Sequence, residues 1–300
     1  MSLVGFVKTR GTSNGLIKQA IFESLNLINY SFEKKVSRVV IKPNLCYYWD
    51  YTTGQTTDPK LIGALIKLLR ERISPSVDIS IVESDASAMK CKHVFRMLGY
   101  EKLSKDCNVK LINLSEDKYD VAQVIVGGHS LNLMVPRTIR NADLKINVPK
   151  IKYTMEEIKI TCALKNIFGC NPNPKKFRYH PHLEEAIVAS NKAMRFDLCI
   201  VDANIVSGIQ PRKLGLVMSS RDPVATDAAA AIIAGISPKT IGYLQLAKGE
   251  GLGNDRFIPK GEPIKYFRDR YPRKNVNKKL VGRIYRLVAK TPLARRLGLQ

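Results

Sequence analysis

Short apolar runs rich in β-branched residues alternate with amphipathic helical stretches from the start of the chain, and this alternation restricts the fold more than any other feature. Leu3 to Thr9 reads as a strand, Asn14 to Ile28 as a helix and Ser37 to Ile41 as a strand. Thr57-Asp58-Pro59 supplies a cap and a first-turn proline for a helix to about Ile73. Strand Val77 to Val82, a helix near Lys92 to Cys107 and strand Val109 to Leu114 follow. This order predicts an α/β fold with a mostly parallel sheet and flanking helices. Val121 to Val126 and Ser130 to Val135, separated by Gly127-Gly128-His129, read as an inserted antiparallel hairpin. Strand Leu144 to Val148, helices Glu156 to Phe168 and Leu183 to Arg195, strands Leu198 to Val201 and Leu214 to Met218, and helices Val224 to Ala234 and Thr240 to Ala247 complete the pattern.

Charge divides the chain. The 300 residues carry a net +23, and residues 256–300 hold fourteen Lys/Arg against Glu262 and Asp269, a net +12. An α/β domain over 1–255 is therefore expected to precede a basic C-terminal extension over 256–300. Within the extension, Leu280, Val281, Ile284, Leu287 and Val288 share one face of a helical projection, and Lys279, Arg286 and Lys290 the other. Such a helix suits docking on its own body, an acidic membrane surface or nucleic acid. No apolar run of about 18 residues and no basic leader with a hydrophobic core occur, so the expected location is cytoplasmic, with peripheral membrane attachment open to the tail. Six cysteines, at 46, 91, 107, 162, 170 and 199, include no C-x-x-C pair, which argues against a zinc ribbon or an iron–sulfur cluster. The oligomeric state is not written in these patterns.

Ligands of open α/β sheets bind outside the carboxyl ends of the strands, and four such ends are polar. They are Lys42-Pro43-Asn44, Glu83-Ser84-Asp85, Pro149-Lys150-Ile151-Lys152 and Asp202-Ala203-Asn204. Any one lysine here fits a solvated strand end, but four polar ends along one edge point to a cleft where lysines hold an anion and Asp85 and Asp202 bind a metal or shuttle protons. Thr161, Lys165 and Asn166 fall on neighbouring helical positions. Lys165 there serves equally as a C-terminal charge on the helix dipole, with Gly169 as its terminator. Lys175 to His182 gathers cations with His180 and His182, a group suited to phosphate or carboxylate and, by its H-x-H spacing, weakly to a metal. Asp222 reads as a helix cap before Pro223. Asp227, one turn into an alanine-rich helix, requires a buried partner. Gly249 to Gly253 neither follows a strand nor opens a helix, so it is a poor phosphate loop. Trp49, within the aromatic stretch Cys46 to Tyr51, is expected to cover the core.

Eight motifs occur in one order: I-K-P-N-L at 41–45, T-T-D-P at 56–59, L-G-Y at 98–100, I-N-V-P-K-I-K at 146–152, A-L-K-N-I-F-G at 163–169, I-V-D-A at 200–203, D-P-V-A-T-D-A at 222–228 and G-L-G at 251–253. With them the chain resembles domain-of-unknown-function family 362 over about residues 3–254. The resemblance implies an α/β domain, sometimes joined to a ferredoxin-like iron–sulfur module, and no generally established activity. It singles out Lys42, Asn44, Thr57, Asp58, Lys150, Lys152, Lys165, Asn166, His180, Asp202, Asp222 and Asp227. Two departures matter. The family often has histidine shortly after the second lysine of P-K-x-K, where this chain has Tyr153-Thr154, and no cluster-binding cysteine module is present. No iron–sulfur cluster is therefore expected in this chain, and any such redox centre would belong to a partner.

Together these readings predict an enzyme binding a small phosphorylated or polycarboxylate substrate through Lys42, Asn44, Thr57, Asp58, Lys150, Lys152, Asn166 and His180. Lys165, Asp202 and Asp227 are the expected catalytic groups, with Asp202 and Asp227 holding any divalent metal. The rival expectation is a non-enzymatic binding protein that acts on a membrane surface or RNA through its tail.

Overall fold

The computed structural model describes residues 1–45, 47–154 and 158–272. The basic helix expected at 278–290, Cys46, and the start of the helix expected from Glu156 lie outside these residues. Strands β1 (Ser2–Lys8), β2 (Arg38–Pro43), β3 (Asp78–Glu83) and β4 (Lys110–Asn113) alternate with helices α1 (Asn14–Leu27) and α2 (Pro59–Arg72). The single helix expected near Lys92–Cys107 is two, α3 (Cys91–Met97) and α4 (Tyr100–Cys107), broken where Gly99 turns at a φ of 79°. Strands β5 (Tyr119–Val126) and β6 (His129–Pro136) form the expected hairpin, closed by Gly127 and Gly128 at φ 56° and 82°, the positive values a tight two-residue turn needs. It stands as a two-stranded sheet of its own.

After α5 (Arg137–Arg140) and β7 (Leu144–Val148), the pair β8 (Lys152–Tyr153) and β9 (Ile160–Thr161) occupies part of the stretch read as a long helix, and α6 spans only Ala163–Phe168. A 3₁₀ segment (Lys176–His182) leads into α7 (Leu183–Ala193). Strands β10 (Leu198–Val206) and β11 (Arg212–Ser220), helices α8 (Pro223–Ile233) and α9 (Gly242–Gly249), β12 (Phe257–Gly261) and α10 (Ile264–Arg268) follow. β12 pairs with β1, and Phe267 and Tyr271 are buried, so the folded body continues beyond residue 255.

The main sheet has the order β12-β1-β11-β10-β7-β2-β3-β4, and only β11 runs against the rest. Alternate residues of one strand enter opposite layers: Val201 and Ala203 of β10 pack with α6 to α9, whereas Leu198 and Ile200 pack with α1 to α4. Asp58 caps α2 by accepting from Lys60 N at 2.8 Å, and Asp222 caps α8 by accepting from Val224 N and Ala225 N. No helix among the described residues is long and apolar enough to cross a membrane.

From β2 the chain steps to β3 and β4 on one side, and β7 and β10 later join on the other. The β2–β7 boundary is thus a topological switch point, where the connections leave a crevice at the carboxyl edge.

Candidate functional site

Three amide-bearing and two cationic side chains meet in that crevice through a continuous hydrogen-bond network. The Lys42 ammonium, at the end of β2, donates to Glu83 Oε2 at 2.7 Å, to the Pro43 carbonyl at 2.7 Å and to Asn166 Oδ1 at 3.5 Å. Lys42 and Glu83 side chains are 1% and 4% exposed. Asn44 donates from Nδ2 to Asn166 Oδ1 at 2.9 Å and accepts at Oδ1 from Lys152 Nζ at 2.6 Å. Asn166 donates in turn to Asn147 Oδ1 at 2.7 Å and to the Lys42 carbonyl at 3.2 Å. Such closure fixes the orientation of each amide, because a flipped one would face donor with donor.

Asp227 supports this network from behind. Its Oδ1 accepts from Ala163 N at 2.5 Å and Leu164 N at 3.4 Å, the opening of α6, and its Oδ2 accepts from Tyr243 Oη at 2.9 Å. These are the partners the alanine-rich helix lacked. Burial pushes the Asp227 carboxyl up to about 7, with the Tyr243 and backbone bonds opposing. The residue therefore positions Lys165 and Asn166, which lie in the same first turn of α6.

A cleft of about 200 Å³ opens over the network. Lys42, Lys152, Lys165 and Lys176 line it, with Glu83 as the single carboxylate among its described lining residues. Lys176 reaches in from the 3₁₀ segment, donating to Ser84 Oγ at 2.5 Å and to the Asp85 carbonyl at 2.9 Å. Burial holds its pKa below the ordinary value, against the pull of Glu83. Leu45, Met89 and Phe168 give the cleft an apolar side, and Tyr47 stands at it half exposed.

The remaining predicted residues divide into groups. Thr57 Oγ1 accepts from Asn44 N and donates to the Val148 carbonyl, each at 2.9 Å, so it braces the loop behind Asn44. Lys150 pairs with Asp202 at 3.2 Å, both side chains 1% exposed, and donates to the Ile205 carbonyl at 2.7 Å. Asp202 also accepts from Asp58 N at 2.9 Å and Asn204 N at 3.1 Å. This second buried cluster ties the start of α2 to β10, and its members do not line the cleft. Burial pushes the Asp58 carboxyl up to about 6. Asp202 and Asp227 share no hydrogen-bond partner among the described residues. His180 is exposed on the 3₁₀ segment, outside the lining. Asp85 accepts from Cys91 N at the start of α3 and pairs with Lys90 at 2.8 Å.

Glu83 and Lys176 are site residues that the sequence reading placed only within polar stretches; their signal was position at a strand end and within a cation-rich loop. Trp49 does not cover the core, being 52% exposed. Asp222 has a further role beside its cap: Gly253 sits so close that a Cβ would fall 2.0 Å from Asp222 Oδ1, and Asn254 N donates to Oδ2 at 2.9 Å. Packing against Asp222 thus accounts for Gly253 of the G-L-G motif, and a φ of 73° for Gly251.

Fold and cleft together define an α/β protein with a cationic pocket at the carboxyl edge of its sheet. The chain belongs to the family described as "Domain of unknown function (DUF362)", whose model matches residues 39–232. The thylakoid-associated protein sll1697 of Synechocystis sp. is 26% identical over 237 residues, covering 74% of this chain and 70% of that protein. Among solved structures, the lactate racemase apoprotein from Thermoanaerobacterium thermosaccharolyticum superposes with a TM-score of 0.47 at 12% identity, over 79% of this chain and 58% of that one. A structural-genomics target protein from Thermotoga maritima gives 0.41 at 12% identity, over 75% and 59%. The chain thus spans less than two thirds of either solved chain.

Proposed function

We propose that the protein is an enzyme whose cleft binds a small substrate bearing a carboxylate or phosphate. The observation that supports this reading most is the charge of the cleft: four lysines and one carboxylate at the switch point of the sheet. Lys152, Lys165 and Lys176, which line the cleft, are the cations assigned to the anionic group, with the Asn44 and Asn166 amides orienting the rest of the molecule. Lys165, on the helix that Asp227 anchors, is the proposed reacting amine.

Lys165→Met should weaken binding of a small carboxylate or inorganic phosphate by roughly 10–100-fold, the worth of one charge-assisted hydrogen bond. Lys165 is only half buried, so the melting temperature should stay within a few degrees. Titration calorimetry checks the affinity and scanning calorimetry the melting temperature, and an unchanged affinity would remove Lys165 from the site.

A second reading adds a location. Residues 273–300 contain nine Lys/Arg and no Asp or Glu, and the Synechocystis relative is named as thylakoid-associated. Peripheral attachment to an acidic membrane fits both. Removing residues 273–300, which spares β12 and α10, should abolish co-sedimentation with vesicles rich in acidic lipid and leave anion affinity at the cleft unchanged. Retained sedimentation would assign the membrane contact to the body, and transfer of binding from vesicles to RNA would favour the rival reading.

A further inference from the structure

Away from the lysine cleft, the tip of the hairpin meets the start of α7. His129 opens β6 directly after the Gly127-Gly128 turn, His182 ends the 3₁₀ segment, and Glu185 lies in the first turn of α7. One ligand atom from each of the three lies within 4.8 Å of the other two. The His182 Nδ1 to Glu185 Oε1 distance is 3.9 Å, and the rings of His129 and His182 are 4.9 Å apart between centroids. Both histidines are exposed and Glu185 is half buried, so an ion from solvent can reach the group.

We propose that His129, His182 and Glu185 bind one divalent metal ion of the zinc class, at a site distinct from the lysine cleft. Two imidazoles and a carboxylate are the ligand set of open zinc sites, which leave a fourth position to water. Metal–ligand bonds of about 2.0–2.2 Å require the three atoms to close in by about an ångström, a movement that exposed side chains make by small rotations. The backbone beneath them is already held. Gly127 N donates to Glu250 Oε1 at 2.9 Å, and Lys192 of α7 bridges the Ile125 carbonyl at 2.9 Å and Glu250 Oε2 at 2.6 Å. The hairpin tip is therefore clamped to the same helix that supplies Glu185. Unlike the H-x-H pair expected from the sequence, the set uses His182 without His180 and takes its second histidine from fifty residues upstream.

The ion also has a mechanical consequence. The segment Lys176–His182 places Lys176 in the cleft at one end and His182 in the metal group at the other. Metal binding ties this segment to the hairpin and to α7, and so fixes the Lys176 ammonium at the cleft wall. Zinc binding itself does not depend on the substrate assigned to that cleft.

The test uses the full chain, freed of any affinity tag and stripped of metal by a chelator. Zinc is titrated in competition with a chromophoric indicator, and cobalt(II) absorption reports the coordination. One equivalent of zinc should bind. His129→Ala and His182→Ala should each weaken binding by more than the roughly 10–100-fold that loss of an outer partner costs, and should abolish the cobalt ligand-field band. His180→Ala should leave both unchanged. If either histidine variant fails to fold, Glu185→Gln replaces it. Absence of zinc binding, or equal affinity in the His129→Ala/His182→Ala double variant, would overturn the site. Hydrogen exchange over residues 175–182 should slow with zinc in the wild type and not in His129→Ala; unchanged exchange in a protein that binds zinc would overturn the tie to the cleft.

Discussion

Lys42→Met is expected to lower the free energy of unfolding by about 3–5 kcal/mol, the cost of leaving one member of a buried ion pair without its partner. Glu83 is 3% exposed, and the Lys42 ammonium lies 2.7 Å from its Oε2. The other bonds to this carboxylate, from Leu45 N at 3.3 Å and Ser84 N at 3.0 Å, survive the change but carry only partial charges. Loss of the ammonium also frees the Pro43 carbonyl and loosens Asn166. The double variant Lys42→Met/Glu83→Gln should recover part of the loss, because it removes the stranded charge while the Gln amide oxygen still accepts from one of the two backbone groups. Urea unfolding of the wild type, both single variants and the double variant closes the cycle. Additive losses would show that the ion pair is not the source of the effect and that cavity formation is.

Asp227 gives the second large effect, in the form of a pH dependence. Its folded carboxyl titrates at about 7 because of burial, against about 3.9 in the unfolded chain. Between those values the folded protein holds a proton that the unfolded chain has released. Stability conferred by the protonated acid is therefore complete below about pH 4, declines as pH rises to about 7 and is level above it. The difference of about three units sets a ceiling of about 4 kcal/mol. Asp227→Asn should remove this slope. Its Oδ1 can accept from Ala163 N and Leu164 N, and its Nδ2 can donate to Tyr243 Oη, while the tyrosine hydroxyl turns to the Ile160 carbonyl 3.1 Å away. Asp227→Ala has no such substitute, leaves those groups unsatisfied and should be destabilised at every pH. Denaturant midpoints from pH 4 to 9 separate the three proteins, and an unaltered slope in Asp227→Asn would assign the titration elsewhere.

The alternation of strands and helices was readable because each strand end carries a change from apolar to polar residues, and those ends led directly to Lys42, Asn44 and Lys152. What the pattern could not reveal is direction. Lys150 and Lys152 stand two residues apart after the same strand, yet Lys152 meets Asn44 at the cleft and Lys150 turns to Asp202 beneath α2. The Asp227 carboxylate was recognisably in need of a partner, but two of its donors come from a helix about sixty residues earlier and the third from Tyr243 on a later one. The long helix expected before Phe168 failed for a local reason. Ile158, Ile160 and Cys162 are all buried at every second position, a strand period, and Lys159 adopts a φ of 61°, which no α-helix contains. The zinc-class group was beyond reach of spacing because its two histidines come from different elements.

The position of β1 in the sheet has a consequence for the newborn chain. Its strand partners are β11, at Arg212–Ser220, and β12, at Phe257–Gly261, so β1 leaves the ribosome well before either partner and is among the last strands to be paired. β2, β3 and β4, by contrast, find one another within about eighty residues of synthesis. At translation rates of roughly 5–20 residues per second, β1 waits on the order of 10–40 s for β11. During that interval Val4 and Phe6, both wholly enclosed in the finished protein, are uncovered, and the chain offers a short sticky strand that a ribosome-bound chaperone is suited to hold.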